Sequence, residues 1–557
     1  MSGLFAILNN TVFTRSYIKQ QLGQLVEPST VVVKNLMPKV IVAYQDNTET
    51  TTCQITINDV YLYCDGEIYN SVELFNLMGI EATTTSTCEI IIHLYAKYGI
   101  EYTLKVIDGV FSFILVDFRL SQVCSRIYVA RDQFGVKPLY ILRPIEIMKN
   151  INSYENVENI FAFAKNLKTL NYFDLENPNE HHDKYMIKQF TPGCYSVFEF
   201  PTHILASWNL IQEDIRYHTL STYPNILYND DDDENIQVAY IHDLQECLID
   251  AIEKRCISTD KPIICLLSGG LNSSLIAALL NEHCKRNNLA QLETYSIGIQ
   301  GSSSLINAKL VAEYLGTNHT EITLNQVFLM QSILKEAIPS VIYKIESYDP
   351  VLVEEGIYKW ILSNYIKERG GTGREGYVFC GEGLNELTGS HLIMDTLQTQ
   401  LDYDHECDQL LGNIHYSSLD MTVKSMDTHG LNLQFPFLDS KFVQSYLSIP
   451  LNMRFLYHQN QDKYLLRLAF STRYYSNMED NDLIPEYILF GKCGNKDEIK
   501  GDGEKGDGEK GEKEVVRSMS SIIHEYIIHN EDKDYFYGAA NTKEENLYRS
   551  YYNRFFC

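Results

Sequence analysis

Residues 262–300 constrain the fold of this chain more than any other stretch. An apolar run (PIICLL) is followed by Ser268-Gly269-Gly270 and then by the helical pattern SLIAALLNEHCKR. Next, TYSIGI gives way to INAKLVAEYLG, and further on YVFC gives way to LNELTGSHLIMDTL. Short β-rich apolar runs alternating with helical ones predict a parallel sheet with crossover helices, because parallel strands cannot be joined by a tight turn. Ligands of such sheets bind beyond the carboxyl ends of the strands. Both SGGLNSS and GEGLNE fall at such ends.

The first two hundred residues read differently. VYLYC, VFSFILVDF, RIYVAR and CYSVFEF are strand-like and separated by turn residues, whereas EIIIHLYAKYG is helical. This pattern predicts an α+β layered domain. The acidic run at 230–234 in YNDDDDENIQ reads as a solvated linker. The expected organisation is a first domain at 2–212, an acidic linker at 213–235 and a second domain at 236–557. The charged repeat GDGEKGDGEKGEKE at 501–514 cannot bury a core, and a disordered insert is expected over 494–516. GTGREG at 371–376 matches a dinucleotide-loop pattern but precedes a strand and opens no helix, so it reads as a turn.

With 557 residues, 45% of them hydrophobic, the chain can form two cores. A net charge of −27 repels phosphate backbones, which argues against a nucleic-acid partner. The 13 cysteines include no CxxC pair, so neither a disulfide framework nor a zinc site is expected. No run of about 18 apolar residues and no leader-like segment occurs, which predicts no membrane association and a cytoplasmic location.

The glycines of Ser268-Gly269-Gly270 let backbone N–H groups approach an anion closely. The hydroxyls of Ser268, Ser273 and Ser274 and the dipole of the following helix add to that capacity. The same residues also suit an ordinary strand-to-helix turn.

The wider pattern decides between these. LLSGGLNSSLIAALL resembles the pyrophosphate-binding SGGxDS loop of ATP-pyrophosphatases. TYSIGI, IESYDP, GEGLNELTG and HGLNLQFPFLD follow in the order found in glutamine-hydrolysing asparagine synthetases. In the first half, MSGLFAIL, CDGEIYN, IDGVFSFILVDF and VARDQFGVKPLY resemble that family's MCGIxAxx, NGEIYN, DGxFAFxxxD and RDxxGxRPL segments, and ENLYRSYYNRFF resembles its end-piece. The chain is identified as a divergent member of this family, closest to its eukaryotic enzymes.

The resemblance implies a class II glutamine amidotransferase-like domain of N-terminal-nucleophile type, joined to an α/β ATP-pyrophosphatase domain with a parallel sheet. It implies glutamine hydrolysis in the first domain. In the second it implies ATP-dependent amidation of aspartate, with release of AMP and pyrophosphate. Small-molecule partners would be ATP, aspartate and ammonia or glutamine, with Mg²⁺ as cofactor. A homodimer, or a heteromer with an active synthetase, is a further expectation.

The residues depart from the family at chemically specific places. The nucleophile position is Ser2 rather than cysteine, and a hydroxyl is the weaker nucleophile at neutral pH. The oxyanion-donating asparagine is Asp65, which cannot donate, although Gly66 and Glu67 remain. The aspartate that holds the substrate α-amine falls at Thr87. These changes predict an inactive glutaminase half. In the second domain the resemblance places ATP and pyrophosphate at Leu267, Ser268, Gly269, Gly270, Ser273, Ile297, Cys380 and Gly381. It places the catalytic carboxylate at Glu382. The two metal-holding aspartates are Asn272 and Asn385, a weakened Mg²⁺ site, because amides supply no charge. Glu386 is retained. Family arginines fall on Glu354 and Gln434, LRADR reads DMTVK, and the pyrophosphate lysine has no fixed counterpart, with Lys492 and Lys496 as candidates, while Lys463 and Arg467 match. Three readings follow: a ligase using free ammonia, a pseudoenzyme that binds nucleotide or an active subunit, and a full glutamine-dependent enzyme.

Overall fold

The structure, a computed structural model, describes residues 4–556 apart from 11–12, 24–30, 38, 46–51, 120–123, 146–158, 175–184, 202–206, 220–232, 257–261, 325–333, 371–375, 390–398, 427–430, 456–461, 476–481 and 491–542. It forms two compact units. The first comprises Met1–Thr219 with Ile414–Val423 and Phe556, and the second holds the remainder.

The first unit contains β1 (Leu4–Leu8), β2 (Val31–Met37), β3 (Val40–Gln45), β4 (Thr52–Ile57), β5 (Val60–Ile68) and β6 (Gly109–Asp117). It continues with β7 (Cys124–Arg131), β8 (Tyr140–Pro144), β9 (Phe161–Ala164), β10 (Tyr185–Gln189), β11 (Cys194–Pro201) and β12 (Asn209–Arg216). They pair into two six-stranded sheets, ordered β10-β8-β9-β1-β3-β2 and β12-β11-β7-β6-β5-β4. The strand pairings in both sheets are antiparallel. The central strands β1, β6 and β9 lack the usual apolar–polar alternation because both of their faces are covered. In β6, Ile114 and Val116 join Leu4, Ala6 and Leu8 in the core between the sheets. Phe113 and Leu115 point the other way, onto Ile91, Leu94 and Tyr95 of the Glu89–Tyr98 helix. On the far side of the other sheet, Phe5 and Ile7 pack against Ile18 and Leu170 of two further helices. The result is the expected α+β layering of two helical layers around two sheets, and each large apolar side chain buried there contributes about 1.5–3 kcal/mol. The second sheet runs four residues beyond Gln212 into the range read as linker, because Ile215 and Arg216 pair with Tyr195 and Cys194.

The second unit is built on β13 (Ile263–Leu266), β14 (Glu293–Ile299), β15 (Asn318–Leu324), β16 (Gly376–Phe379) and β17 (Leu431–Gln434). All pair in parallel, in the order β15-β14-β13-β16-β17. The helix Leu271–Arg286 follows β13, and Ser303–Leu315 follows β14. The helix after β16 is shorter than the sequence pattern predicts. It spans Leu384–Thr388 and ends where Gly389 turns left-handed at φ 61°. Strand order reverses between β13 and β16, so the loops leaving them open a crevice where α/β sheets hold ligands. The 494–516 segment lies outside the described residues.

Candidate functional site

The crevice in the second unit is framed by two glycine contacts. Gly269 has φ +77°, and a Cβ there would meet the Ala308 backbone nitrogen at 2.5 Å. Only glycine lets the loop lie this close to the Ser303–Leu315 helix. Across the crevice a Cβ on Gly381 would come within 3.1 Å of Asn272 Cβ and of the Ser273 nitrogen. The two strand ends are therefore in direct contact.

Leu267 is buried and its N–H continues the ladder to Tyr295 O at 2.8 Å. Ser268 and Gly270 are exposed at the mouth. The Ser273 hydroxyl is occupied within the loop: it accepts from Ser268 N at 3.1 Å and donates to Gly270 O at 3.2 Å. Ser274 is fully buried. Ser268 is exposed but tied to Ser273 through its N–H and, at 2.9 Å, its hydroxyl. Ile297 is half-buried on β14. Cys380 is buried, donates its N–H to Gln434 O at 2.9 Å, and has its thiol pushed upward by burial and by the Glu382 charge.

Glu382 follows at the tip of the loop, and Lys359 of the Pro350–Gly370 helix forms an ion pair with it. Burial pulls the Lys359 ammonium down, but the Glu382 carboxylate outweighs that and holds it above the ordinary lysine value. Asn272 and Asn385 meet: Asn272 Nδ2 donates to Asn385 Oδ1 at 3.0 Å and to Gly381 O at 3.3 Å. Between their carbonyls stands Lys463, whose Nζ donates to Asn272 Oδ1 at 3.0 Å and to Asn385 Oδ1 at 2.7 Å. Burial lowers the Lys463 ammonium to about 8, against the opposing pull of Asp462 and Glu386. Arg467 fixes Asp462 at 2.7 Å, and Lys463 sits in the left-handed region at φ 55°.

The other expected positions separate. Gln434 is buried at the end of β17 and Glu354 is half-buried on its helix. Lys424, the last residue of DMTVK, pairs with buried Glu346 at 2.8 Å. Lys492 and Lys496 lie outside the described residues. Sequence reasoning did not find Lys359, a lone lysine in a helical stretch with no motif around it. It registered Lys463 only as a matching residue. In both cases the partner lies far away along the chain.

In the first unit, Ser2 lies outside the described residues. Asp65 on β5 is fully buried and ion-paired to Lys165 at 3.1 Å and Lys137 at 3.6 Å. Lys137 is aimed by its own turn, in which Asp132 accepts the N–H groups of Phe134, Val136 and Lys137 and Arg131 donates to Gly135 O and Lys137 O. Gly66 backs onto β6, where a Cβ would meet Val110 O at 2.4 Å. Glu67 is buried beside it. Thr87 accepts the Ile68 N–H at 3.0 Å, a backbone-capping role.

Two family models match: a glutamine amidotransferase domain over residues 47–148, and asparagine synthase over 243–418 and 395–476. Fold and matches together define an amidotransferase-type domain joined to a synthase domain. The chain is 30% identical over 509 residues to human "Asparagine synthetase [glutamine-hydrolyzing]", covering 89% of this chain and 81% of that one. To the chicken protein of the same name it is 29% identical over 513 residues, with the same coverage. To the rat protein it is 30% identical over 438 residues, 77% of this chain and 70% of that one. The chain belongs to the asparagine synthetase family. None of its described helices is long and apolar enough to cross a membrane.

Proposed function

We propose that this chain binds ATP at the Ser268–Gly270 loop, amidates aspartate slowly with free ammonia, and does not hydrolyse glutamine. The observation that carries the reading is the contrast between its two sites. The nucleotide crevice keeps a backbone-built loop at the sheet's switch point and a carboxylate, Glu382, at its tip. At the oxyanion position, by contrast, Asp65 is tied into a buried ion cluster. The aspartate β-carboxylate would attack the α-phosphorus of ATP and expel pyrophosphate. Ammonia would then add to the resulting acyl carbon, with AMP leaving. In this scheme Glu382 takes the proton from the incoming ammonium, and Lys359 competes with that ammonium for the same carboxylate.

The family's Mg²⁺ fits these residues poorly. It prefers anionic oxygens in octahedral geometry, whereas Asn272 and Asn385 offer neutral carbonyls already bonded to an ammonium. Losing metal stabilisation of phosphoryl charge, worth several kcal/mol, slows adenylation by about a hundredfold or more. The pseudoenzyme reading is favoured by one observation, the ion pair on Glu382. Cytoplasmic residence and a homodimer, or a heteromer with an active synthetase, complete the proposal.

Purified full chain with ATP, Mg²⁺ and aspartate should release pyrophosphate and form asparagine slowly with ammonium. With glutamine it should release no glutamate, and Ser2→Cys should not change that. Glutamate release by either protein refutes the glutaminase part. If no pyrophosphate forms under any condition, the pseudoenzyme reading replaces the ligase.

A further inference from the structure

We infer that the cation seat beside the phosphate loop is filled by the protein itself, through the ammonium of Lys463, so that nucleoside triphosphate and pyrophosphate bind here without a divalent ion. The inference rests on the nucleotide-site reading above and deepens it.

Asn272 stands at the second residue of the Leu271–Arg286 helix, within the first turn, the part of a helix that receives anions. Its side-chain carbonyl and that of Asn385 converge on one point, occupied by Lys463 Nζ at 3.0 and 2.7 Å. Two neutral carbonyls suit an ammonium, which needs acceptors rather than neutralising charge. They suit a small dication less well, because it would have to displace the lysine to reach the same oxygens. The lysine is held in place. Its backbone is left-handed at φ 55°, a conformation that is strained for a residue with a Cβ and persists only where surroundings enforce it. Arg467 grips the preceding Asp462 through its side chain and backbone carbonyl, both at 2.7 Å, and anchors to Ile488 O at 3.0 Å. Asp462 is 3.7 Å from Nζ, too far to replace the amide oxygens as its main partner. A cation therefore stands on Asn272, two residues beyond the Ser268–Gly270 loop where phosphoryl oxygens would lie.

Calorimetry on the full chain decides this, with ATP and, separately, inorganic pyrophosphate, each in Mg²⁺ and in excess EDTA. The wild type should bind each ligand with Kd values within about threefold of each other in the two buffers. Lys463→Met and Lys463→Gln, checked for folding by circular dichroism, should each weaken binding about tenfold or more in both buffers. The double variant Asn272→Asp and Asn385→Asp should become Mg²⁺-dependent. Wild-type binding tighter by tenfold or more in Mg²⁺ overturns the inference but leaves the nucleotide site standing. Unchanged affinity in folded Lys463 variants also overturns it. Absence of binding in both buffers overturns the nucleotide site and this inference together.

Discussion

Restoring the family's asparagine at position 65 should damage this protein rather than repair it. Asp65 is fully buried with Lys165 at 3.1 Å and Lys137 at 3.6 Å. At an effective dielectric near 20, a unit pair at 3.1 Å interacts by about 5 kcal/mol, most of which offsets the desolvation of the charges. Asp65→Asn strips away the carboxylate while leaving both ammoniums in place. Breaking a buried pair by removing one partner costs about 3–5 kcal/mol, and Lys165, only 6% exposed at its side chain, bears most of it. For a unit of this size that is about 10 °C in Tm. The assay is thermal and urea unfolding of the full chain followed by near-ultraviolet circular dichroism, with glutamate release measured in parallel. Asp65→Asn should be strongly destabilised and still hydrolyse no glutamine. Adding Lys165→Met should recover about half or more of the loss, because one of the two cations facing the lost carboxylate is then gone. A neutral Asp65→Asn, within about 0.5 kcal/mol, refutes the ion-cluster argument. So does a destabilised one that Lys165→Met does not rescue.

Three further outcomes follow from named contacts. Gly269→Ala forces a Cβ into the left-handed region and 2.5 Å from the Ala308 nitrogen, so it should cost about 2–5 kcal/mol in denaturant unfolding and abolish nucleotide binding; a loss under 1 kcal/mol contradicts the close-approach argument. Burial would raise the Glu89 carboxyl, but the N–H and hydroxyl groups of Thr83 and Thr84 and the His93 ring outweigh it and hold Glu89 at about 2, below 4.5. Its stabilisation, about 2–3 kcal/mol, is present above pH 4.5 and lost as pH falls from 4.5 towards 2; the gap between wild type and Glu89→Gln should shrink across that window, and a pH-independent gap defeats the reasoning. Lys359→Met frees Glu382, so under the ligase reading the KM for ammonium should fall about five- to tenfold at little change in ATP affinity, and an unmoved KM in folded protein excludes competition at Glu382.

What was legible in the sequence follows from the range of the interactions. Strands β13 and β16 announced themselves because a parallel strand buried on both faces is a short apolar run between turn residues. The loop glycines were legible for the same local reason. Strand order was not, since no residue on β13 signals that β16 lies beside it. The Leu384–Thr388 helix was overextended because LNELTGSHLIMDTL keeps its apolar period through Gly389, where the backbone turns. Asp65 was legible as a lost donor but not as an ion-paired residue, because Lys137 and Lys165 lie 72 and 100 positions away.

Those distant partners share a logic. Under the proposed function, the oxyanion position, the metal position and the catalytic carboxylate each face a cation of this chain. Asp65 adds a carboxylate and meets Lys165 and Lys137. Asn272 and Asn385 take away two carboxylates and share the Lys463 ammonium. Glu382 keeps its carboxylate and meets Lys359. A buried charge left alone would cost several kcal/mol, a large part of a domain's whole stability. Reversion at position 65 breaks such a pair, which is why Asp65→Asn is expected to fail, whereas Asn272→Asp and Asn385→Asp would add carboxylates beside the Lys463 ammonium. If Asp65→Asn proved harmless, the Lys165 and Lys137 pairs would be incidental contacts.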